Sequence, residues 1–98
     1  MAKGINRDEA EAMAIAALGH VASDPELLPR FLAITGIEAD GIRHAAREPG
    51  FLAGVLDFVL AHEPTLVGFA AAQGLPAEIV ITARRLLPGG DERHEQYT

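Results

Sequence analysis

The feature that most constrains the fold is an internal similarity, because the chain partly matches itself when it is shifted by 38 residues. Residues 13–48 and 51–86 share nine identical positions, roughly three times the number expected by chance in a sequence rich in Ala and Leu. The identical pairs are Leu18 with Leu56, Val21 with Val59, Leu28 with Leu66, Phe31 with Phe69, Ala33 with Ala71, Gly36 with Gly74, Ala39 with Ala77, Ala45 with Ala83 and Arg47 with Arg85. Most are apolar or glycine positions, so the similarity predicts two copies of one helical unit and indicates no activity.

The length of the chain predicts how the two units pack. Ninety-eight residues, of which 49% are hydrophobic and 5% aromatic, can bury one core but not two independent cores. We therefore expect a single all-α domain over residues 1–87, a compact six-helix bundle made of two three-helix units. Residues 88–98 show no apolar periodicity and contain two glycines, so we expect a disordered C-terminal tail.

Caps, prolines and glycines predict where the helices begin and end. Asn6 and Glu9 have the spacing of a capping box, and Gly36 and Gly74 are expected to end helices in the left-handed conformation. Ser23-Asp24-Pro25-Glu26 should restart a helix, but Pro29 should make its first turn distorted or 3₁₀, so regular helix is expected from Pro29. The predicted helices are Arg7–Ala22, Pro29–Thr35, Glu38–Arg47, Phe51–His62, Glu63–Gln73 and Pro76–Leu87.

The fourth predicted helix carries apolar residues in nearly every direction, which a surface helix cannot accommodate. We therefore expect it to be the buried centre of the domain, with Val55, Leu56 and Val59 almost free of solvent. Asp57 is its only charged residue and belongs to a stripe of small side chains formed by Gly50, Gly54, Asp57 and Ala61. We expect Asp57 to mark a narrow solvent-facing strip; the alternative is an ion pair with an arginine of the third or sixth helix.

The net charge and the absence of cysteine restrict the classes of partner and of chemical site that the chain can have. The formal net charge of −6 repels phosphate backbones at long range, which disfavours nucleic acid as a partner. The chain has no cysteine, which excludes disulfides, thiolate metal sites and thiol nucleophiles. The sequence shows no signal peptide, and its apolar runs are shorter than the roughly 20 residues of a membrane-spanning helix. We expect a cytoplasmic location, no contact with a membrane, and another protein or a second copy of the chain as partner.

The segment from Ala14 to Leu87 resembles a known family. The resemblance lies in Phe51-Leu-Ala-Gly-Val-Leu-Asp-Phe58 at its centre and in Gly74-Leu-Pro-Ala-Glu78 before an arginine-bearing last helix. These motifs are similar to those of bacterial domain-of-unknown-function family 3572, a group of small helical proteins. The resemblance implies a small cytoplasmic bacterial helical protein and supplies no catalytic residue.

A protein-interaction or adaptor role is the function we expect, with Ile81, Leu75 and Asp57 as candidate partner-binding residues. Ile81 stands off the apolar face of the sixth helix, and the equivalent position in the first unit is Arg43. The repeat therefore does not require an apolar residue there. Beside Leu75 or the small-residue stripe, Ile81 would complete an apolar patch suited to a partner.

A nucleic-acid-binding protein is the alternative. Ala70, Gly74 and Val80 have the spacing of a helix-turn-helix. The residues that would contact DNA are Arg43, Arg47, Arg84 and Arg85. Against this interpretation, Asp40 and Glu78 occupy the helix starts that would enter a groove of the DNA.

A small enzyme or metal-binding protein is the third possibility, and the sequence gives it little support. The histidines show no i, i+3 or i, i+4 pair, the spacing that places two ligands on one helix face. His20 and His62 are expected to lie at helix C-termini, where the helix dipole stabilises a protonated imidazole. Ser23 is the only serine and has no nucleophile motif around it. We expect no enzymatic activity, no metal and no cofactor.

Overall fold

A computed structural model describes residues 5–88 of the chain. Within that range the fold is all-helical, and the radius of gyration of 13.1 Å is typical of a folded chain of this length. The elements are α1 (Arg7–Ala22), α2 (Leu27–Thr35), a 3₁₀ turn (Ala39–Gly41), α3 (Ile42–Ala45), α4 (Phe51–Leu60), α5 (Glu63–Gln73) and α6 (Ala77–Leu86). The tail predicted at residues 88–98 lies outside the described residues except for Pro88.

Helices α1, α4 and α6 pack against one another and form most of the core. The inward face of α1 is built largely of small side chains, and Ala10, Ala14 and Ala17 are fully buried. Small side chains let neighbouring helices approach closely, which compensates for the low aromatic content. In α4 the prediction for Val55, Leu56 and Val59 is confirmed, because all three are fully buried.

Phenylalanines connect α2 and α5 to this core. The ring of Phe31 in α2 makes edge-to-face contacts with Phe58 and Phe51 of α4, at centroid distances of 5.4 and 6.2 Å. In α5, Phe69 is fully buried and its ring lies 5.5 Å from that of His20, also edge-on. Each of these two helices is therefore anchored by a single aromatic residue.

The structure corrects three predicted helices. Helix α2 begins at Leu27 and not at Pro29, because Asp24 Oδ1 accepts hydrogen bonds from the backbone N–H groups of Glu26 and Leu27. Pro29 then lies in the first turn, where its missing N–H has no helical partner to lose. The predicted third helix is a 3₁₀ turn followed by one short helix, and α4 ends at Leu60.

The third helix buries little of its surface. Ile37, Ile42 and Ala45 are only partly buried, and Ala46 is exposed. The segment 39–45 packs along its own 3₁₀ turn more than against the other helices. A helix with so little buried surface gains little from packing, so the four-residue length of α3 follows from its position at the edge of the domain.

Candidate partner-binding groove

An apolar groove lies between the start of α1 and the start of α6. Its volume is about 540 Å³. Three lining residues come from the α1 side, and three from the turn before α6 and the helix itself. They are Ile5, Glu9 and Met13 on one wall, and Leu75, Pro76 and Ile79 on the other. Five of the six side chains are apolar, so the groove presents a largely uncharged surface to solvent.

Local hydrogen bonds fix the α1 wall. The predicted capping box forms, since Asn6 Oδ1 accepts from the N–H of Glu9 at 2.7 Å and Glu9 Oε1 accepts from the N–H of Asn6 at 2.9 Å. Glu9 and Met13 are four residues apart, which places them on one face of α1, and Ile5 lies directly before the N-cap Asn6. The capping box therefore holds the only carboxylate of the groove in place.

The turn after α5 fixes the opposite wall. The N–H of Leu75 donates to Ala70 O at 3.0 Å, and the N–H of Gly74 donates to Ala71 O at 3.1 Å. These two bonds form a Schellman motif, in which Gly74 has a φ of 69°. The motif reverses the chain at Leu75, whose side chain remains 37% exposed. Leu75 is thus held at the rim of the groove by backbone geometry.

The structure separates the predicted partner-binding residues into two places. Leu75 lines the groove, whereas Ile81 does not. Ile81 is 39% exposed and lies two residues beyond Ile79, which puts it about 160° away around α6. It therefore borders Arg84 on the opposite flank of the helix and does not extend the groove.

Asp57 lies on that opposite flank and pairs with Arg84. The Arg84 Nε–Asp57 Oδ1 distance is 2.6 Å and links α4 to α6. The side chain of Asp57 is 55% exposed and that of Arg84 only 11%. The two sequence interpretations of Asp57 are therefore both correct in part. Asp57 lies on the solvent-facing side of α4, and it is also paired with an arginine of α6.

The arginines of the nucleic-acid alternative fall into different environments. Arg84 is buried against Asp57, while Arg43, Arg47 and Arg85 are exposed. The exposed flank of α6 also carries Glu78 in its first turn. The guanidinium group of Arg84 is thus turned into the domain in this conformation, away from where a phosphate would be contacted.

His20 and His62 meet in a second, polar cleft of about 340 Å³. Asp24 and Glu26 also line this cleft, yet no three metal-ligating side chains among residues 5–88 are placed to hold an ion. His62 Nδ1 lies 2.7 Å from Thr65 Oγ1. His62 is the N-cap of α5 and does not end α4, so the prediction that it lies at a favourable helix C-terminus is wrong.

Sequence reasoning missed most of the groove. It identified Leu75 as a partner-binding residue and named no other residue of the groove in that role. The available signal was the apolar Ile5 directly before the N-cap Asn6, because an apolar residue at that position often packs against the first turns of its helix. That signal does not identify the opposite wall, because nothing local relates residue 13 to residue 79.

No single helix among the described residues is long and apolar enough to cross a membrane. Helices α4 and α5 reach the required length only as a pair, and a bend of 109° separates them.

Comparison with known proteins identifies a family to which the chain is similar. No curated protein matched the chain, and no solved structure did. The sequence profile of a family described as proteins of unknown function, DUF3572, matches residues 7–90, which include all six α-helices and both walls of the groove except Ile5. This match covers far more than half of the sequence. The chain therefore belongs to domain-of-unknown-function family 3572.

Proposed function

We propose that the domain is a protein-interaction module that binds an apolar segment of another protein in the groove between α1 and α6, and that its role is binding and not catalysis. The observation that supports this proposal most is the groove itself. Its walls are apolar, and Leu75 remains 37% exposed at its rim. A concave apolar surface of this kind is stabilised when a partner removes it from water.

The walls are fixed before any partner arrives. The capping box holds the start of α1, and the Schellman motif holds the turn before α6. A preformed site loses less conformational entropy on binding than a site that must fold around its ligand. A short partner segment that buries only a modest area can therefore bind this groove, because little conformational entropy of the groove is lost.

A second copy of the chain is a poorer occupant than a different protein. In a two-fold symmetric dimer built on this groove, each Glu9 carboxylate would face the same surface of the other copy. Each copy also carries a net charge of −6. Like charges brought together at an interface oppose association, so we expect the partner to be another protein in the cytoplasm.

Site-specific photo-crosslinking in the native cell tests the proposal. A photoreactive residue replaces Leu75 in one variant and Ile34 in a control variant; Ile34 is 66% exposed and lies outside the groove. We expect a discrete crosslinked partner from position 75 only, and we expect the purified partner to bind Leu75→Asn at least about tenfold more weakly than the wild type. Equal crosslinking from both positions, or none from position 75, would contradict the proposal.

We also propose that the domain consists of two equivalent helix units, one over residues 13–48 and one over 51–86. Gly36 and Gly74 support this, since both end a helix in the left-handed conformation, with φ of 77° and 69°. Phe31 and Phe69 support it too, since both are buried. Superposition of the two segments should place these phenylalanines at equivalent core positions, and unrelated positions would refute the repeat.

A further inference from the structure

We infer that the partner segment is a basic amphipathic helix, which binds with its apolar stripe in the groove and its lysines or arginines on the acidic lips. This inference rests on the proposed function of the groove and adds the chemistry of its occupant. The supporting observations are the charges at the lips, the ion pairs those charges lack, and the length of the α1 wall.

Each wall of the groove has a carboxylate on its outer lip. On α1, Glu9 is flanked by the fully buried Ala10 on the core side and by the exposed Asp8 on the solvent side, each about 100° away around the helix. On α6, Ile79 is flanked in the same way by the buried Val80 and the exposed Glu78. Asp8 and Glu78 therefore border the groove on opposite lips.

These carboxylates form no ion pair with the described residues of the domain. Among residues 5–88, the one ion pair with an N–O distance within 4.0 Å joins Asp57 to Arg84. Within this part of the chain, Asp8, Glu9 and Glu78 thus have no basic partner at that distance. On α6 the first exposed basic residue after Glu78 is Arg85, seven positions later, which is about 10 Å along the helix axis and close to one screening length at physiological salt. On α1, Arg7 directly precedes Asp8, but no ion pair within 4.0 Å joins the two side chains.

The dimensions of the groove fit a helix. On the α1 side, the seven steps from the N-cap Asn6 to Met13 rise about 10 Å, or about two helical turns, and Ile5 precedes them outside the helix. An amphipathic helix presents apolar residues at i, i+3, i+4 and i+7 over the same length. A cation on each side of that stripe would lie against Asp8 on one lip and Glu78 on the other.

Two synthetic helical peptides of about four turns test the inference. Both have leucine on the apolar face; one has lysine and the other glutamate on the polar face. Binding is measured at low salt by fluorescence anisotropy, and the site is located by amide chemical-shift changes in the labelled protein. We expect the lysine peptide to bind at least about tenfold more tightly, to shift resonances of Met13, Leu75 and Ile79, and to lose most of that advantage at about 0.5 M NaCl.

Two charge-neutralised variants distinguish the lips from the overall charge of the protein. Asp8→Asn with Glu78→Gln removes both lip charges, and Glu38→Gln with Asp40→Asn removes two exposed charges elsewhere, so each changes the net charge from −6 to −4. We expect the lip variant to bind the lysine peptide about fivefold more weakly and the control variant to bind it almost unchanged.

The possible outcomes separate the inference from the proposed function. If both peptides shift the groove resonances with equal affinity, or if the two charge variants behave alike, the basic-helix inference is wrong and groove docking stands. If neither peptide shifts those resonances and Leu75→Asn changes no affinity, groove docking fails as well. Binding that is confined to the lysine peptide, located at the groove and weakened by the lip variant supports both.

Discussion

Replacing Asp57 by Asn should destabilise the domain by about 1 to 2 kcal/mol, because the change removes the carboxylate charge beside a largely buried arginine. The Nε–Oδ1 distance of 2.6 Å is that of a charge-assisted hydrogen bond. Such bonds contribute about 1.5 to 3 kcal/mol when both groups are shielded from water. The Asp57 side chain is 55% exposed, and solvent screening reduces the value. Asn is similar to Asp in size and helix propensity, so little else changes.

A double-mutant cycle with Arg84→Met isolates this interaction. Methionine fills much of the same volume without a charge, so the Arg84→Met variant should lose less than about 1 kcal/mol of unfolding free energy. In that background Asp57→Asn should be neutral within about 0.5 kcal/mol. The matched control is Arg85→Met, which alters an exposed arginine next to Arg84 and should also be neutral within about 0.5 kcal/mol.

Urea and thermal denaturation followed by circular dichroism measure these differences. For a domain of this size, a loss of 1 kcal/mol lowers the melting temperature by about 4 to 8 °C. Asp57→Asn should therefore melt well below the wild type, and the double variant should melt close to Arg84→Met alone. An equal loss for Asp57→Asn in both backgrounds would show that the two residues are not coupled, which would refute the reasoning.

Three further predictions concern the core, the glycines and the exposed isoleucine. Leu56→Ala should lose about 2 to 5 kcal/mol of unfolding free energy, because Leu56 is fully buried, whereas the exposed Leu86→Ala should lose much less in the same urea titration. Gly68→Ala should raise the melting temperature and Gly74→Ala should lower it, since both sites have open space for a methyl group but only Gly74 has a positive φ. Ile81→Glu should leave the helical circular dichroism and the melting temperature nearly unchanged, and unfolding would show that Ile81 belongs to the core.

The helix ends most faithfully predicted from the sequence are those set by local chemistry. The capping box at Asn6 and Glu9 and the glycine ends at Gly36 and Gly74 form as predicted. Each depends on hydrogen bonds or backbone angles within a few residues, and these are the same whatever the rest of the chain does. Regular helix in α2 begins two residues earlier than predicted, because Asp24 Oδ1 accepts hydrogen bonds from the N–H groups of Glu26 and Leu27.

Features that depend on distant segments were predicted less well. The third helix was predicted to continue to Arg47, yet α3 ends at Ala45 and none of its residues is fully buried. The pairing of Asp57 was anticipated only as an alternative, since its partner lies 27 residues away. The groove combines residues near position 9 with residues near position 77, and no local pattern connects them.

The position of Asp57 suggests how this residue affects partner binding. Arg84 ties α6 to α4 through Asp57, while Ile79 on another side of α6 lines the groove. Asp57 is therefore expected to act as a positioning residue for α6 and not as a contact for the partner. If so, Asp57→Asn and Arg84→Met should weaken binding of the lysine peptide to a similar extent, and the double variant should bind no more weakly than either.

A direct contact would behave differently. Removing the carboxylate of Asp57 would then weaken binding even in the Arg84→Met background, because the partner would lose an interaction that does not pass through α6. The same double-mutant cycle, measured by the affinity for the lysine peptide instead of the free energy of unfolding, therefore distinguishes the two roles. Additive effects on affinity combined with non-additive effects on stability would place Asp57 in the binding surface itself, and would require a partner large enough to reach from the groove to the far flank of α6.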